Sequence, residues 1–469
     1  MQPQQRYALL ALMLAGFITI FDLFVVNIAM VSIQRSLSAN LVEVTLVLVI
    51  YELAFGILLI TGGRLGDIYG RRHLYQIGMF CFMITSILCA VATTPLILII
   101  ARFFQGLSSA LLFPQVYASI RSNFDDRQAK KAFAYLGMSL GLAAIAGQVL
   151  GGFLIEWNIF NLGWRTIFLI NVPIGIIAII CSCHLQDPQL KQNLSLDLLG
   201  VVISGSGICL FLLPIVLLPI WGWNVRSTIM LMLGITTLYL FILHEQHYMK
   251  IQRTPLFNLT LFKNYSFILG AIAILCIYST SSAFPMSIAL FYQSGFNLNP
   301  FQAGLLFMPA SVGFVASSLM TPKWQAHYGN RTLLIGALAY IFSYLILMLM
   351  NTYFATKLSP YALIPIMMII GFTQGMIMTP VLNWTLSFVP LHLIGIASGL
   401  TATLQQIGAA IGAAIVSTIM QIYLQTTMGH SILSQFQTAF IHSLFFNVII
   451  MLVASIIIYQ LMRQSSHSQ

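Results

Sequence analysis

Three charged residues stand inside long apolar runs: Asp22, Glu52 and Arg102. An ionisable side chain at membrane depth is costly and marks a functional site by default. Two carboxylates and one guanidinium cannot all be neutralised by pairing. The residues therefore suggest that Arg102 pairs with one acid while the other takes up and releases a proton. Burial favours the neutral acid and a neighbouring cation favours the carboxylate, so an acid that gains or loses its Arg partner can load and unload. The plainer reading makes Asp22 a helix-packing hydrogen-bonder and Glu52 a satisfied structural acid. At 1.5 Å per residue both acids lie roughly 13 Å deep in their runs, and Arg102 roughly 9 Å. All three then share one slab.

The remaining acids narrow the choice. They are Glu43, Asp67, Asp125, Asp126, Glu156, Asp187, Asp197 and Glu245, and none follows Glu245. Proton coupling through carboxylates must therefore belong to the first half of the chain. The second half can offer amides, hydroxyls and aromatics, such as Tyr292, Gln293, Gln374, Asn383, Trp384, Gln405 and Gln406. Such a wall suits apolar or amphipathic solutes. Tyr292, Gln374, Asn383, Trp384 and Gln405 are candidate substrate contacts, together with Asn27 and Gln105 of the first half. For each one alone, lipid exposure or core packing is the bland alternative.

The elements that carry these residues follow from composition. The chain has 469 residues, 59% hydrophobic and 6% charged, against about 25% charged in soluble domains. A soluble globular protein, a disordered chain, a collagen-like fibre and a disulfide scaffold are all excluded. Spanning helices of about 20 apolar residues are expected. Fourteen can be read, at roughly 8–31, 43–62, 74–93, 96–120, 132–155, 166–185, 198–219, 227–246, 264–290, 303–322, 332–351, 361–384, 395–421 and 440–462. Strands are unsuitable, because an open edge in lipid leaves backbone groups unpaired. The first run is too long for a signal h-region, so no cleavable signal peptide is expected.

Charge sets the orientation. Of the 20 Lys and Arg residues, Arg35, Arg165, Arg226 and Lys357 fall on one side, Arg102 lies within a span, and the other fifteen share the opposite side. The positive-inside rule makes the fifteen cytoplasmic. An even span count then puts both termini in the cytoplasm. The net charge of +10 is this bias and not a nucleic-acid patch. The six cysteines all fall in apolar runs and read as small core residues.

A repeat is visible in the connectors. Gly63 to Arg72 follows the second run and Pro322 to Arg331 follows the tenth. At an offset of 259, Arg64 meets Lys323, Tyr69 meets Tyr328, Gly70 meets Gly329 and Arg72 meets Arg331. Ala326 stands where the first copy has Asp67. Six spans plus two inserted spans account for the offset. Residues 1–190 read as a six-helix bundle, 191–262 as a two-helix insert with linker, and 263–469 as a second six-helix bundle. Tandem bundles are a transporter pattern, with the solute site between them. Gly63, Gly66 and Gly70 do not form a dinucleotide loop, since no strand precedes them. They allow a sharp turn and close bundle approach, with Arg64, Arg71 and Arg72 at the headgroups and Asp67 near helix N-termini.

These residues resemble the major facilitator superfamily over essentially the whole chain. Gly63, Arg64, Gly66, Asp67, Gly70, Arg71 and Arg72 look like its cytoplasmic loop motif, a conformational switch. Arg102-Phe103-Phe104-Gln105-Gly106 is similar to its fourth-helix motif. Gly147, Gln148, Gly151 and Gly152 resemble its fifth-helix antiporter motif, and Trp164-Arg165 through Asn171 to Gly175 looks like the usual continuation. Asp22 to Asn27 with Ala29 is similar to the first helix of the fourteen-span drug:proton antiporter branch. Gly395 to Gly399 with Gln405, Gln406 and Gly408 resembles that branch's thirteenth helix. The resemblance implies proton-driven export of drugs or amphipathic small molecules by alternating access. It departs at Gln148, where the motif has Pro, at Phe24, where it has Thr, and at Val31, where it has Pro. Gly141, Gln148 and Gly152 share a helical face, so Gln148 should sit on a packed seam where its amide can hydrogen-bond a neighbour.

Other signals are weak. His244-Glu245-Gln246-His247 has its histidines three apart and not four, so it is not the metalloprotease motif. No metal site, cofactor or catalytic constellation is expected, and the protein is not read as an enzyme. The partners expected are a small-molecule substrate, protons and the lipid bilayer, with no nucleic acid. A monomer in the cell (inner) membrane is expected, and accessory efflux proteins are left open. Uptake or facilitated transport of a metabolite is the nearest alternative. A proton-translocating subunit of a respiratory complex would need buried Lys and Glu along its whole length, which the acid-free second half lacks.

Overall fold

The computed structural model describes residues 3–186, 197–251, 259–354, 359–390, 393–427, 429 and 431–467. Asp187, Lys191, Arg253, Lys357 and the boundary drawn at residue 190 lie outside them. Fourteen of the described helices are long and apolar enough to cross a membrane. They are α1 (Pro3–Leu37), α2 (Leu41–Tyr69), α3 (Arg71–Ala90), α4 (Pro95–Asn123), α5 (Asp126–Trp157), α6 (Gly163–Ser182), α7 (Leu198–Val216), α8 (Val225–Lys250), α9 (Tyr265–Leu290), α10 (Pro300–Tyr328), α11 (Arg331–Phe354), α12 (Ile364–Ser387), α13 (Ile394–Thr426) and α14 (Ile432–His467). The α6 span opens as a 3-10 turn at Gly163–Arg165 and breaks once at Ile170. Every apolar run read from the sequence coincides with one of these helices.

The repeat extends to the helix ends. The Asn40 side chain accepts from the Glu43 N–H at 2.9 Å, and the Glu43 carboxylate accepts from the Asn40 N–H at 2.8 Å. This reciprocal cap satisfies two orphan donors of α2. Asn299 and Gln302 build the same cap on α10. Both helices run 29 residues. Both stop at a glycine with positive φ, 95° at Gly70 and 60° at Gly329, a backbone that other residues resist. Start, length and stop therefore repeat together.

Contacts divide the chain into two compact units. Unit 1 comprises Met1–Gly147, Leu154–Pro214 and Trp221–Leu259, and unit 2 comprises Gln148–Phe153, Ile215–Ile220 and Thr260–Gln469. Lipid supplies no hydrophobic drive between helices, so small residues that let backbones meet decide the packing. In unit 1, a Cβ added to Gly62 would stand 2.0 Å from the Ala110 carbonyl oxygen, and one on Gly106 2.4 Å from that of Tyr51. These contacts join α2 to α4. In unit 2 the equivalent pair is α10 and α12, where a Cβ on Gly371 would stand 1.7 Å from the Ala310 carbonyl oxygen. The first and fifth helices of each bundle also meet through glycine. Gly147 packs on Phe21 and Phe24 in unit 1, and Gly412 on Ser279 in unit 2.

The inserted helices α7 and α8 cross closely where Gly234 meets the backbone of Phe211. Gly205 of α7 packs on Ile57 of α2. The rest of α8 exposes Ile229, Met232, Leu233 and Tyr239, a surface suited to lipid.

Candidate functional site

Unit 1 holds a closed polar network in its apolar interior. Asp22 of α1 and Arg102 of α4 form an ion pair through Oδ2 and Nη1. Both are buried, Asp22 at 0% and Arg102 at 1% exposure. Gln105 lies one helical turn beyond Arg102 on the same face. Its Oε1 accepts from Arg102 Nη1 at 2.7 Å, and its Nε2 donates to Asp22 Oδ1 at 3.2 Å and to Ser86 Oγ at 2.9 Å. Asn171 of α6 donates to Asp22 Oδ1 at 3.1 Å and to Ser86 Oγ at 3.2 Å. Cys89 Sγ donates to Gln105 Oε1 at 3.4 Å.

The guanidinium has two further supports. Its Nε donates to the Val47 carbonyl at 3.1 Å, and its plane lies over the Tyr51 ring, 4.0 Å from the centroid. A desolvated cation gains about 2 kcal/mol from such a face. Tyr51 is held in turn, its hydroxyl hydrogen-bonded with Ser109 Oγ at 2.8 Å and donating to the Thr19 carbonyl at 3.3 Å. Four spans (α1, α2, α3 and α4) and α6 thus meet at one pair of charges. The pair is neutral as a whole, and a proton added to Asp22 would leave Arg102 without its paired carboxylate. Protonation and the position of Arg102 are therefore chemically linked.

The sequence-derived candidates distribute unevenly around this centre. Asp22 and Arg102 meet. Glu52 is buried on α2 at 4% exposure, but the hydrogen bonds of Arg102 go to Asp22, Gln105 and Val47. Gln105, read as a substrate contact, spends both ends of its amide inside the ion-pair network. Asn27 is buried on α1, with Nδ2 donating to the Leu23 carbonyl and Oδ1 without a hydrogen-bond partner among the described residues.

The glycine-rich connector is helical almost throughout. Asp67 belongs to the last turn of α2 and pairs with Arg71, the first residue of α3, at 2.9 Å. Arg71 also donates to the Ala118 carbonyl at 2.8 Å. Gly66 admits Gln115, whose Nε2 donates to the Gly62 carbonyl at 2.7 Å. Gly63 faces Pro114, and Arg64 and Arg72 are half-buried.

Gln148 is buried, as its place on a seam requires. The hydrogen bond expected for its amide is not made: Nε2 has no partner among the described residues. The seam is closed by backbone, which explains the difference. A Cβ on Gly304 would stand 2.3 Å from the Gln148 carbonyl oxygen, and one on Gly152 2.4 Å from that of Pro300. Gly151 is buried beside it.

In unit 2, Tyr292 is buried within a π-helical turn, Phe291–Gly295, and its hydroxyl has no described partner. Gln374 and Gln405 are half-buried, Trp384 is buried and Asn383 is exposed. Sequence reasoning missed Ser86, Cys89 and Tyr51, and named Asn171 only within the continuation of the fifth-helix motif, with no role. The first three carry no signal beyond a polar or sulfur-bearing side chain inside an apolar run, which many unrelated residues share.

Comparison with known proteins follows the same outline. Residues 12–413 match the profile of the Major Facilitator Superfamily. The chain is 31% identical to a probable actinorhodin transporter of Streptomyces coelicolor over 88% of this chain and 72% of that protein. It is 28% identical to the puromycin resistance protein pur8 of Streptomyces alboniger, over 89% of this chain and 82% of that one. It is also 28% identical to the riboflavin transporter RibZ of Clostridioides difficile, over 88% of each. Among solved structures, a bacterial homolog of the human lysosomal transporter Spinster, inward-facing and unoccupied, superposes with a TM-score of 0.70. That likeness covers 99% of this chain and 98% of that one at 13% identity, and concerns the fold alone.

Proposed function

Because the chain belongs to the Major Facilitator Superfamily, whose members transport solutes and are not enzymes, we propose that it is a proton-coupled antiporter exporting amphipathic small molecules or drugs by alternating access. The observation that carries this reading is the buried Asp22–Arg102 pair with its closed polar shell. A proton on Asp22 cancels the carboxylate and releases Arg102 toward its remaining supports, Gln105, the Val47 carbonyl and the Tyr51 ring. Loss of the proton draws the cation back. A conformational change that separates the two charges therefore favours proton uptake, and one that brings them together favours release. Glu52 is the second acid of the same bundle and the reserve site for a proton.

The chain is a multi-pass membrane protein. In our reading, residues 1–190 and 263–469 are the rocking bundles and 191–262 the insert. The Lys and Arg bias supports two cytoplasmic termini and a place in the inner membrane. The amide and aromatic residues of the second bundle, Tyr292, Gln374, Trp384 and Gln405 among them, suit an amphipathic solute. The resistance protein among the relatives supports drug export. The relative named as a riboflavin transporter supports a second reading, transport of a metabolite.

Inside-out vesicles separate the two. An imposed gradient, acid inside, should drive accumulation of the exported compound, and collapse of the gradient should release it. Accumulation that ignores the gradient would remove proton antiport. A deletion strain and an overexpressor, screened against a broad compound panel, would identify the solute.

A further inference from the structure

Unit 2 contains a counterpart of the ion-pair centre, and the glycine contacts locate it. Gly147 lies against the Phe21 carbonyl and Gly412 against that of Ser279, so Thr280 takes the place of Asp22. Gly106 lies against the Tyr51 carbonyl and Gly371 against that of Ala310. Arg102 and Gln105 precede Gly106 by four residues and by one, as Met367 and Ile370 precede Gly371. Gly78 of α3 meets Leu112 of α4, and Gly336 of α11 meets Ile377 of α12. Ser86 stands eight residues after Gly78, and Tyr344 eight after Gly336. Buried Asn171, Gly175 and Ala178 of α6 recur at the same spacing in α14 as Asn447, Met451 and Ala454.

Five positions of the polar network can therefore be compared in place. The charges are gone: Thr280 stands for Asp22, Met367 for Arg102 and Ile370 for Gln105. Polarity persists at three positions, in Thr280, in Tyr344 for Ser86 and in Asn447 for Asn171. All five residues are buried, none above 1% exposure. The hydroxyls form a directed chain through Tyr340, one helical turn before Tyr344. The Tyr344 hydroxyl donates to that of Tyr340 at 2.7 Å. Thr280 Oγ1 donates to the Ile277 carbonyl at 2.7 Å, which leaves the Tyr340 hydroxyl to donate to Thr280 Oγ1 at 3.5 Å. The chain thus joins α9 to α11. Bulk is exchanged in step: Ala310 stands for Tyr51, and the Tyr344 ring packs on Phe284 with 5.3 Å between centroids. Filling space does not account for the hydroxyls, since a phenyl ring would fill it without the cost of burying a polar group.

We propose that Thr280, Tyr340 and Tyr344, with Asn447, are the second bundle's copy of the Asp22–Arg102 site, its charges replaced by hydroxyls. They are positioning residues, which fix α9 against α11 without an ion. Hydroxyl and amide contacts of this kind hold helices together in lipid. The coupling charge then acts in one bundle only, a consequence that rests on the antiport reading.

The test puts the missing amide back and measures thermal unfolding of the full chain in one detergent. In unit 1, Gln105 Nε2 donates to Asp22 and Ser86. Ile370→Gln places the same amide where Thr280 and Tyr344 offer hydroxyls. Ile377→Gln, in the same helix and equally buried, stands at the position of apolar Leu112 and is the control. An amide buried without partners bears its full desolvation cost, and one that finds partners does not. Ile370→Gln should therefore lower the melting temperature by no more than about half as much as Ile377→Gln. In a Thr280→Val, Tyr344→Phe background that advantage should vanish. Should that background not fold, the comparison of the two glutamine variants decides by itself. Equal drops, an Ile370→Gln chain that does not fold, or an advantage that survives loss of both hydroxyls overturns the proposal. The readout involves no transport, so loss of proton-driven export would count against the antiport reading alone.

Discussion

Asp22→Asn is the most informative single change. The substitution is nearly isosteric, and the side-chain oxygen of Asn can still accept from Asn171 and Gln105, which reach Asp22 Oδ1 at 3.1 and 3.2 Å. What disappears is the charge opposite Arg102. Both partners are fully buried, so the cation loses its paired anion away from water. Removing one member of a buried pair costs about 3–5 kcal/mol. The Tyr51 face, 4.0 Å from the guanidinium carbon, is present before and after and does not offset the loss. At 1.36 kcal/mol per power of ten, the folded-to-unfolded ratio falls by roughly two to four powers of ten. Thermal unfolding of the purified protein in one detergent measures this. Arg102→Gln in the same chain removes the stranded cation, so the double variant should recover much of the stability. The two changes should be non-additive by about 1–3 kcal/mol. Transport should not follow stability. The single and double variants should both fail to accumulate solute against a gradient in inside-out vesicles, while energy-independent counterflow persists. Driven accumulation within twofold of wild type in Asp22→Asn, or strict additivity in the double variant, would refute the reasoning.

Three further outcomes are expected. Glu52→Gln leaves every hydrogen bond of Arg102 in place, so it should lower the unfolding temperature less than Asp22→Asn while still weakening pH-gradient-driven transport. If both acid variants transport normally under a gradient, carboxylate coupling in this bundle is wrong. Gly106→Val forces a side chain into the Tyr51 carbonyl and parts α2 from α4, with a cost of at least about 1–3 kcal/mol. Gly137→Ala, which meets nothing within 4 Å and lies inside α5, should not destabilise and should gain up to about 1 kcal/mol, and equal melting of these two would discredit the glycine contact. Asp67→Asn removes a half-exposed ion pair and should cost less than about 1 kcal/mol. Its transport rate should nonetheless fall severalfold, and a wild-type rate would remove the α2–α3 turn from the switching machinery.

Much of the architecture was legible because bilayer physics acts on local composition. An apolar run of about 20 residues has one stable form in lipid, a helix satisfying its own backbone, so all fourteen spans could be read directly. The duplication was visible because the ends of a helix are written in a few residues, and Gly70 and Gly329 recur at one offset. Asp22, Glu52 and Arg102 stood out because a charge in hydrocarbon is expensive wherever it points. Their partnership was another matter. That Arg102 meets Asp22 and not Glu52, that Gln105 belongs to the pair's shell, and that Asn171 and Ser86 close it depend on how each helix is rotated about its axis. Hydropathy is blind to that rotation. It is decided where Gly62, Gly106 and Gly147 let one backbone touch another, between residues scores of positions apart.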